Sequence, residues 1–171
     1  MKKGIIFILI LITVIVVGIL LNSGVGSSRY LVMEESEINN YLTKNYSSYE
    51  LLESYLTEDK LLYYVLLLGE NKEGVVLQLS KRENGFTTKT SSMSFTEPIS
   101  LLELNTDSIS KIQVGIIYDK SIEEVKLTFD DNKQQNYILN GKKGFIITSE
   151  ESIRKVELFD KEHNLISTKE I

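Results

Sequence analysis

Apolar and polar positions along this 171-residue chain fall into three regimes. The first is a run without one charge, Gly4 to Leu21, GIIFILILITVIVVGILL. The second begins at Glu34. There Ile38, Leu42, Asn45, Tyr49, Leu52 and Leu56 recur at steps of three and four, the spacing of one helix face. Inside it Ser47 and Glu50 have capping-box spacing, with Tyr46 and Leu51 placed as a hydrophobic staple. The pattern predicts a break between residues 45 and 48 and two short helices, the first with acidic residues at its start as the helix dipole favours. After Thr57 the period shortens. LLYYVLLLG (61–69), GVVLQLSK (74–81) and GFTTKTSSMSF (85–95) read as strands, separated by the turn sequences ENKE and RENG.

The only proline, Pro98, closes this half, and a loop with a helical turn is expected over 99–106. Six further strands follow, at 112–118, 125–129, 135–139, 144–148, 155–159 and 165–168. The polar turns DKSIEE, DDNK, NGKK, SEES and DKEHN part them at the spacing of a small sandwich or barrel. The expected class is α+β: an N-terminal transmembrane helix, two short helices on a three-stranded antiparallel meander, then a small all-β sandwich-like module. The divisions fall at 1–28 (cytoplasmic tip, anchor and spacer), 29–98 and 99–171.

At about 1.5 Å per residue, eighteen residues of helix reach roughly the thickness of a bilayer's hydrocarbon. Gly4, Ile5, Ile12, Val16 and Leu21 lie along that segment, which is read as a membrane anchor contacting the lipid bilayer through residues 4–21. Lys2 and Lys3 precede it, so the amino terminus is expected in the cytoplasm and the carboxy-terminal part outside the cell. The alternative is a cleaved signal peptide, against which stand the length of the run and the absence of an A-x-A-like site. With no cysteine the chain carries neither a lipoprotein attachment nor disulfides, so its stability is expected from core packing.

Beyond the two amino-terminal lysines the chain holds seventeen basic against twenty-four acidic residues, a net charge of −7. An acidic surface repels phosphate backbones, which argues against nucleic acid as a partner. The absence of Ala and Trp beside abundant Ile, Lys, Asn and Tyr looks like translation from an AT-rich genome.

DKLLYYVLLLGENKEGVVLQLSKRENGF (59–86) resembles a strand–turn–strand block of small exported proteins of Bacillus-type low-GC Gram-positive bacteria. VGIIYDKSIEEVKLTF (114–129) and GFIITSEESIRKVELFDKEHNLI (144–166) resemble the β-module that follows in them. Asp119, Ile122, Val125, Asp160, Leu165 and Ile166 stand at the matching places, while His163-Asn164 replaces the Gly usual in the closing turn. The resemblance implies export and a β-rich fold, and supplies no catalytic residue.

The candidate sites each have a plain alternative. His163, the only histidine, lies in a turn with Asp160 and Glu162, and a general base would need a cleft and an oriented nucleophile instead. Ser108-Ile109-Ser110-Lys111 matches S-x-x-K but enters a strand and has no S-D-N or K-T-G after it. Asp130, Asp131 and Asn132 offer oxygens without the spacing of a calcium loop. Asn45-Tyr46-Ser47 fits a glycosylation sequon, yet Ser47 is already expected as a cap. Tyr41, Tyr46, Tyr55, Tyr63 and Tyr64 form the candidate binding face, with Tyr49 on the apolar stripe. The alternative is that most of these rings are core, and Tyr63 and Tyr64 must point to opposite faces of one strand.

No cofactor is expected and no catalytic or metal residue is assigned. The functional expectation is a non-catalytic binding or interaction module at the cell envelope, held by the anchor, with an envelope protein or cell-wall ligand as partner. An envelope hydrolase using Asp/Glu pairs and a structural subunit of a membrane complex are the alternatives.

Overall fold

The computed structural model describes residues 29–106 and 110–171. Among them lie one helix, α1 (Glu35–Asn45), and eleven strands: β1 (Glu50–Leu56), β2 (Leu62–Leu68), β3 (Gly74–Arg82), β4 (Gly85–Met93), β5 (Ile99–Asn105), β6 (Lys111–Ile117), β7 (Glu124–Phe129), β8 (Gln134–Ile138), β9 (Gly144–Ser149), β10 (Ile153–Phe159) and β11 (Leu165–Glu170). They form three antiparallel sheets, ordered β1-β2-β3-β4, β5-β6-β9 and β11-β10-β7-β8.

Three buried clusters part the molecule into four layers. Met33 and Ile38, at and before α1, cover Val65, Leu67, Val75, Leu77 and Leu79 on the outer face of the first sheet. Its inner face presents Tyr64, Leu66, Val76 and Met93 to Ile112, Val114, Ile116 and Ile146 of the second sheet. The opposite face of that second sheet, with Ile99, Ile117, Phe145 and Ile147, meets Val125, Leu127, Phe129, Val156 and Leu158 of the third. Sheets covered on both sides need strands apolar in consecutive positions, which is why β2 reads as an unbroken apolar run and β3 and β6 carry the consecutive apolar pairs Val75-Val76 and Ile116-Ile117. β8 and β11 edge the third sheet and stay largely exposed.

Close approach of the first and second sheets rests on Gly74 and Gly144, and close packing within the second sheet on Gly115. A Cβ on Gly74 would lie 2.4 Å from Ile116 Cδ1. Gly115 of β6 pairs with Phe145 of β9, and a Cβ on it would sit 2.3 Å from the phenyl ring. A Cβ on Gly144 would lie 2.7 Å from Leu66 Cδ2, across the interface with the first sheet.

Several expectations are corrected. The fold is mostly β rather than α+β with a helical layer, and only the first of the two short helices forms. It ends at Asn45, and its start is tied by the Glu34 N–H donating to Glu37 Oε2 at 3.3 Å, not by Ser47 and Glu50. The second is replaced by β1. Its pairing to β2 slips at Leu52, so that Leu51 faces Leu67 and Glu53 faces Leu66. This bulge puts Leu52 and Tyr55, three apart, against the same core, and so imitates a helical period. The meander therefore has four strands, not three. The expected loop over 99–106 is β5: Leu101 packs toward the third sheet and Leu102 toward the first, which hides its alternation. The sandwich-like module is present, as the second and third sheets.

The expected membrane segment, with Gly4, Ile5, Ile12, Val16 and Leu21, lies outside the described residues. Among the described residues no helix is long and apolar enough to cross a membrane. The reading of a single-pass signal-anchored protein with a cytoplasmic amino terminus and an extracellular domain is corrected accordingly.

Replacing Gly115 by Ala should drive a methyl into the Phe145 ring and lower stability by about 1–3 kcal/mol, as overpacked cores do. A reduced urea midpoint with unchanged m-value is the expected observation.

Candidate functional site

Three turns converge at one end of the layers. In the β2–β3 turn the Gly69 N–H donates to Glu73 O at 2.9 Å, and Lys72 takes φ 63°. In the β6–β7 loop the Asp119 carboxylate accepts the Ser121 N–H at 2.9 Å and its hydroxyl at 2.7 Å, a local Asx turn. In the β8–β9 turn Asn140 and Gly141 take φ 51° and 79°, and the Lys142 N–H donates to Leu139 O at 3.0 Å. Two bonds stitch the turns together. The Tyr118 hydroxyl donates to Lys72 O at 3.2 Å, and the Ile117 N–H donates to Lys143 O at 2.7 Å.

Between them lies a cleft of about 420 Å³. Its apolar wall is Leu68, Ile117, Tyr118 and Ile122; its charged lining is Lys72, Lys120, Lys142 and Lys143 with Asp119 and Glu123. Lys142 and Lys143 are tied to β1, their ammonium groups 2.5 Å from Glu53 Oε2 and 2.7 Å from Glu50 Oε1. Lys72 lies over the Phe95 ring, 4.9 Å from its centroid, and Phe95 meets Tyr118 edge-on. Among the described residues neither Lys72 nor Lys120 forms a salt bridge.

Hydrogen bonds favour the charged forms of Glu53, Lys142 and Asp119. Burial pushes the Glu53 carboxyl up, but hydrogen bonds from Lys142, the Ser54 N–H and Tyr137, with the Lys142 charge, hold it below its ordinary value. The same hydrogen bond to Glu53 raises Lys142. Asp119 is lowered by the Ser121 N–H and hydroxyl.

The sequence candidates lie elsewhere. Tyr41, Tyr46 and Tyr63 pack on the helix side of the first sheet, whereas Tyr55 and Tyr64 stack, centroids 6.4 Å apart, between the first and second sheets. The sheet itself parts the two groups, so the five rings share no single surface. Tyr63 and Tyr64 do point to opposite faces, and Tyr49 is half-exposed beside Tyr46. His163 sits in the β10–β11 turn, its Nδ1 2.9 Å from Glu124 Oε2 of β7. Asp160 accepts the Glu162 and Asn164 N–H groups and closes that turn. Asp131 accepts the Lys133 N–H in the β7–β8 turn, with Asn132 at φ 65°. No group of three or more metal-ligating residues occurs among the described residues. Asn45 caps α1 through its amide on Tyr41 O, 2.8 Å away.

Of the S-x-x-K match, Ser108 and Ile109 lie outside the described residues. Lys111 opens β6 and donates to Ser152 Oγ at 2.5 Å while pairing with Glu103 at 3.4 Å. The lysines of the cleft were not singled out by sequence. The one signal was that ENKE, DKSIEE and NGKK each carry lysine, and nothing local brings those turns together.

Glu53 generates a pH prediction. A carboxyl held below its ordinary value of 4.5 adds stability that is complete above that value and is lost as pH falls through the folded one. Glu53→Gln should therefore cost about 1 kcal/mol at pH 7, the scale of a partly screened pair. Its difference from the wild type should shrink toward zero on acidification below about pH 4, measured by urea melts across pH.

Comparison with known proteins adds no relative: no family model matches this chain, and no curated protein or solved structure matches it.

Proposed function

We propose that this chain is a non-catalytic binding module whose partner seats in the cleft between the three turns. The observation that carries the reading is a preformed concavity with an apolar wall and a lysine rim, its turns already bonded to one another. A pocket of this size and mixed lining is the usual form of a ligand site. Lys142 and Lys143 are paired with Glu53 and Glu50, and Asp119 is bonded to the Ser121 N–H and hydroxyl.

Hydrolysis by an Asp/Glu pair is the competing chemistry, because Asp119 and Glu123 share the cleft. Such an enzyme needs one carboxyl raised so that it keeps a proton to donate. Asp119 is displaced the other way by its Ser121 bonds, as are Glu53, Glu103 and Asp160 by theirs. With Asp119 unsuited as the acid of such a pair, the apolar wall and lysine rim of the cleft favour the binding module over the hydrolase.

A photo-crosslinking residue in place of Glu123, in the cleft lining, should capture a discrete partner from cells, whereas the same residue in place of Asn84, in the β3–β4 turn, should not. The purified chain should turn over neither a generic ester nor a glycoside. Turnover of either, or equal capture from both positions, would overturn the reading.

A further inference from the structure

The cleft's charge says what it takes, given that it is a binding site at all. The whole chain carries a formal net charge of −5, yet four of the six charged side chains lining the cleft are lysines. Two of the four are held by Glu50 and Glu53 of β1. That leaves Lys72 and Lys120 to meet a ligand, with Glu123 on the same lining. Against Glu50, Glu53, Asp119 and Glu123 the four lysines leave no net surplus. What the lining offers an anion is two ammonium groups outside any ion pair among the described residues, enough for a single carboxylate. A polyphosphate or nucleic acid would bring several charges against Glu50, Glu53, Asp119 and Glu123, and like charges there repel.

The rest of the lining is apolar: Leu68, Ile117, Tyr118 and Ile122 offer a wall to one bulky side chain. Lys72 rests on the Phe95 ring, a surface cation–π contact weak enough to yield to a carboxylate. The volume of about 420 Å³ is enough for one or two residues of extended chain. Lys120, Gly141, Lys142 and Lys143 at the rim are exposed, so a longer chain has a way out to solvent.

We infer that the cleft takes the free carboxy terminus of a polypeptide ending in an apolar residue. The carboxylate is met by Lys72 and Lys120, and the last side chain packs against Leu68, Ile117 and Ile122. This rests on the binding-module reading and adds the chemistry of the ligand to it. Charge selects the chain end, because only a terminus puts a carboxylate and an apolar side chain on one residue. The apolar wall then selects which residue ends the chain.

The test uses the full chain labelled with ¹⁵N, titrated with N-acetyl-leucyl-leucine, its carboxy-terminal amide, and hexanoate. The free acid should shift amides in 118–123 and 140–143 and saturate by roughly 10 mM. The amide should bind at least about tenfold more weakly, as should the free acid to Lys120→Ala or Lys72→Ala, the scale of a lost charge-assisted bond. Lys44→Ala, on α1, should bind like the wild type, and each variant's spectrum should otherwise overlay on the wild type's. Equal binding of acid and amide, shifts outside the cleft, or no shift by roughly 10 mM would overturn the proposal. So would hexanoate binding as tightly as the peptide, which would point to a fatty acid. If these arms fail while the crosslinker at position 123 still captures a partner, only the carboxylate is lost; turnover of ester or glycoside removes the binding module itself.

Discussion

Burial of the second sheet on both faces is the constraint from which the rest of the architecture follows. Ile112, Val114 and Ile116 of β6 pack toward the first sheet, while Phe145 and Ile147 of the neighbouring β9 pack toward the third. A strand in that position has no water on either side, so its backbone groups must find partners within the sheet. β5 and β9 supply them along its two edges. Packing at crystal-like density also leaves no room for a stray methyl, which is why glycines stand at 115 and 144. The outer layers are then bound to follow: the third sheet covers one side, and the first sheet with α1 covers the other.

Such a dry interior limits where polar groups can go, and three of the buried ones, Gln113, Ser100 and Glu124, have partners for their side chains. Gln113, on β6, donates to Glu103 Oε2 at 2.8 Å near the end where Lys111 and Ser152 meet. Ser100 donates to Ser94 O and accepts the Thr96 N–H, tying the β4–β5 connection to the start of β5. Glu124, buried at the start of β7, is met by His163 from the exposed β10–β11 turn. The chain's only histidine thus serves as the partner of a buried carboxylate. An unpaired charge at that position would be costly.

The cleft is a by-product of the same stacking. Layers that share a core bring their connecting turns to common ends, and at one end the β2–β3, β6–β7 and β8–β9 turns meet. Each is shaped by its own residues: Asn71 and Lys72 in the first, Asp119 and Ser121 in the second, Asn140 and Gly141 in the third. Their lysines become neighbours only because β9 returns to the second sheet after β7 and β8 have started the third. The ion pairs of Lys142 and Lys143 with β1 then anchor the third turn to the first sheet.

Read alone, the sequence determined what depends on neighbours a few residues apart. The turns, the strands at 62–68, 74–82 and 85–93, the strands after residue 111, and the opposite facing of Tyr63 and Tyr64 all follow from local turn chemistry and the two-residue period. Tertiary structure alone decided whatever depends on which layer a face meets. β1 escaped notice because its bulge at Leu52 replaced the period of two by a step of three, and β5 because both its faces are covered. The candidate tyrosines were parted, and the lysines gathered, by sheet order, which is settled by the burial of whole faces rather than by any short run of residues. That is why nine of the eleven strands among the described residues were legible, while the fold class and the site were not.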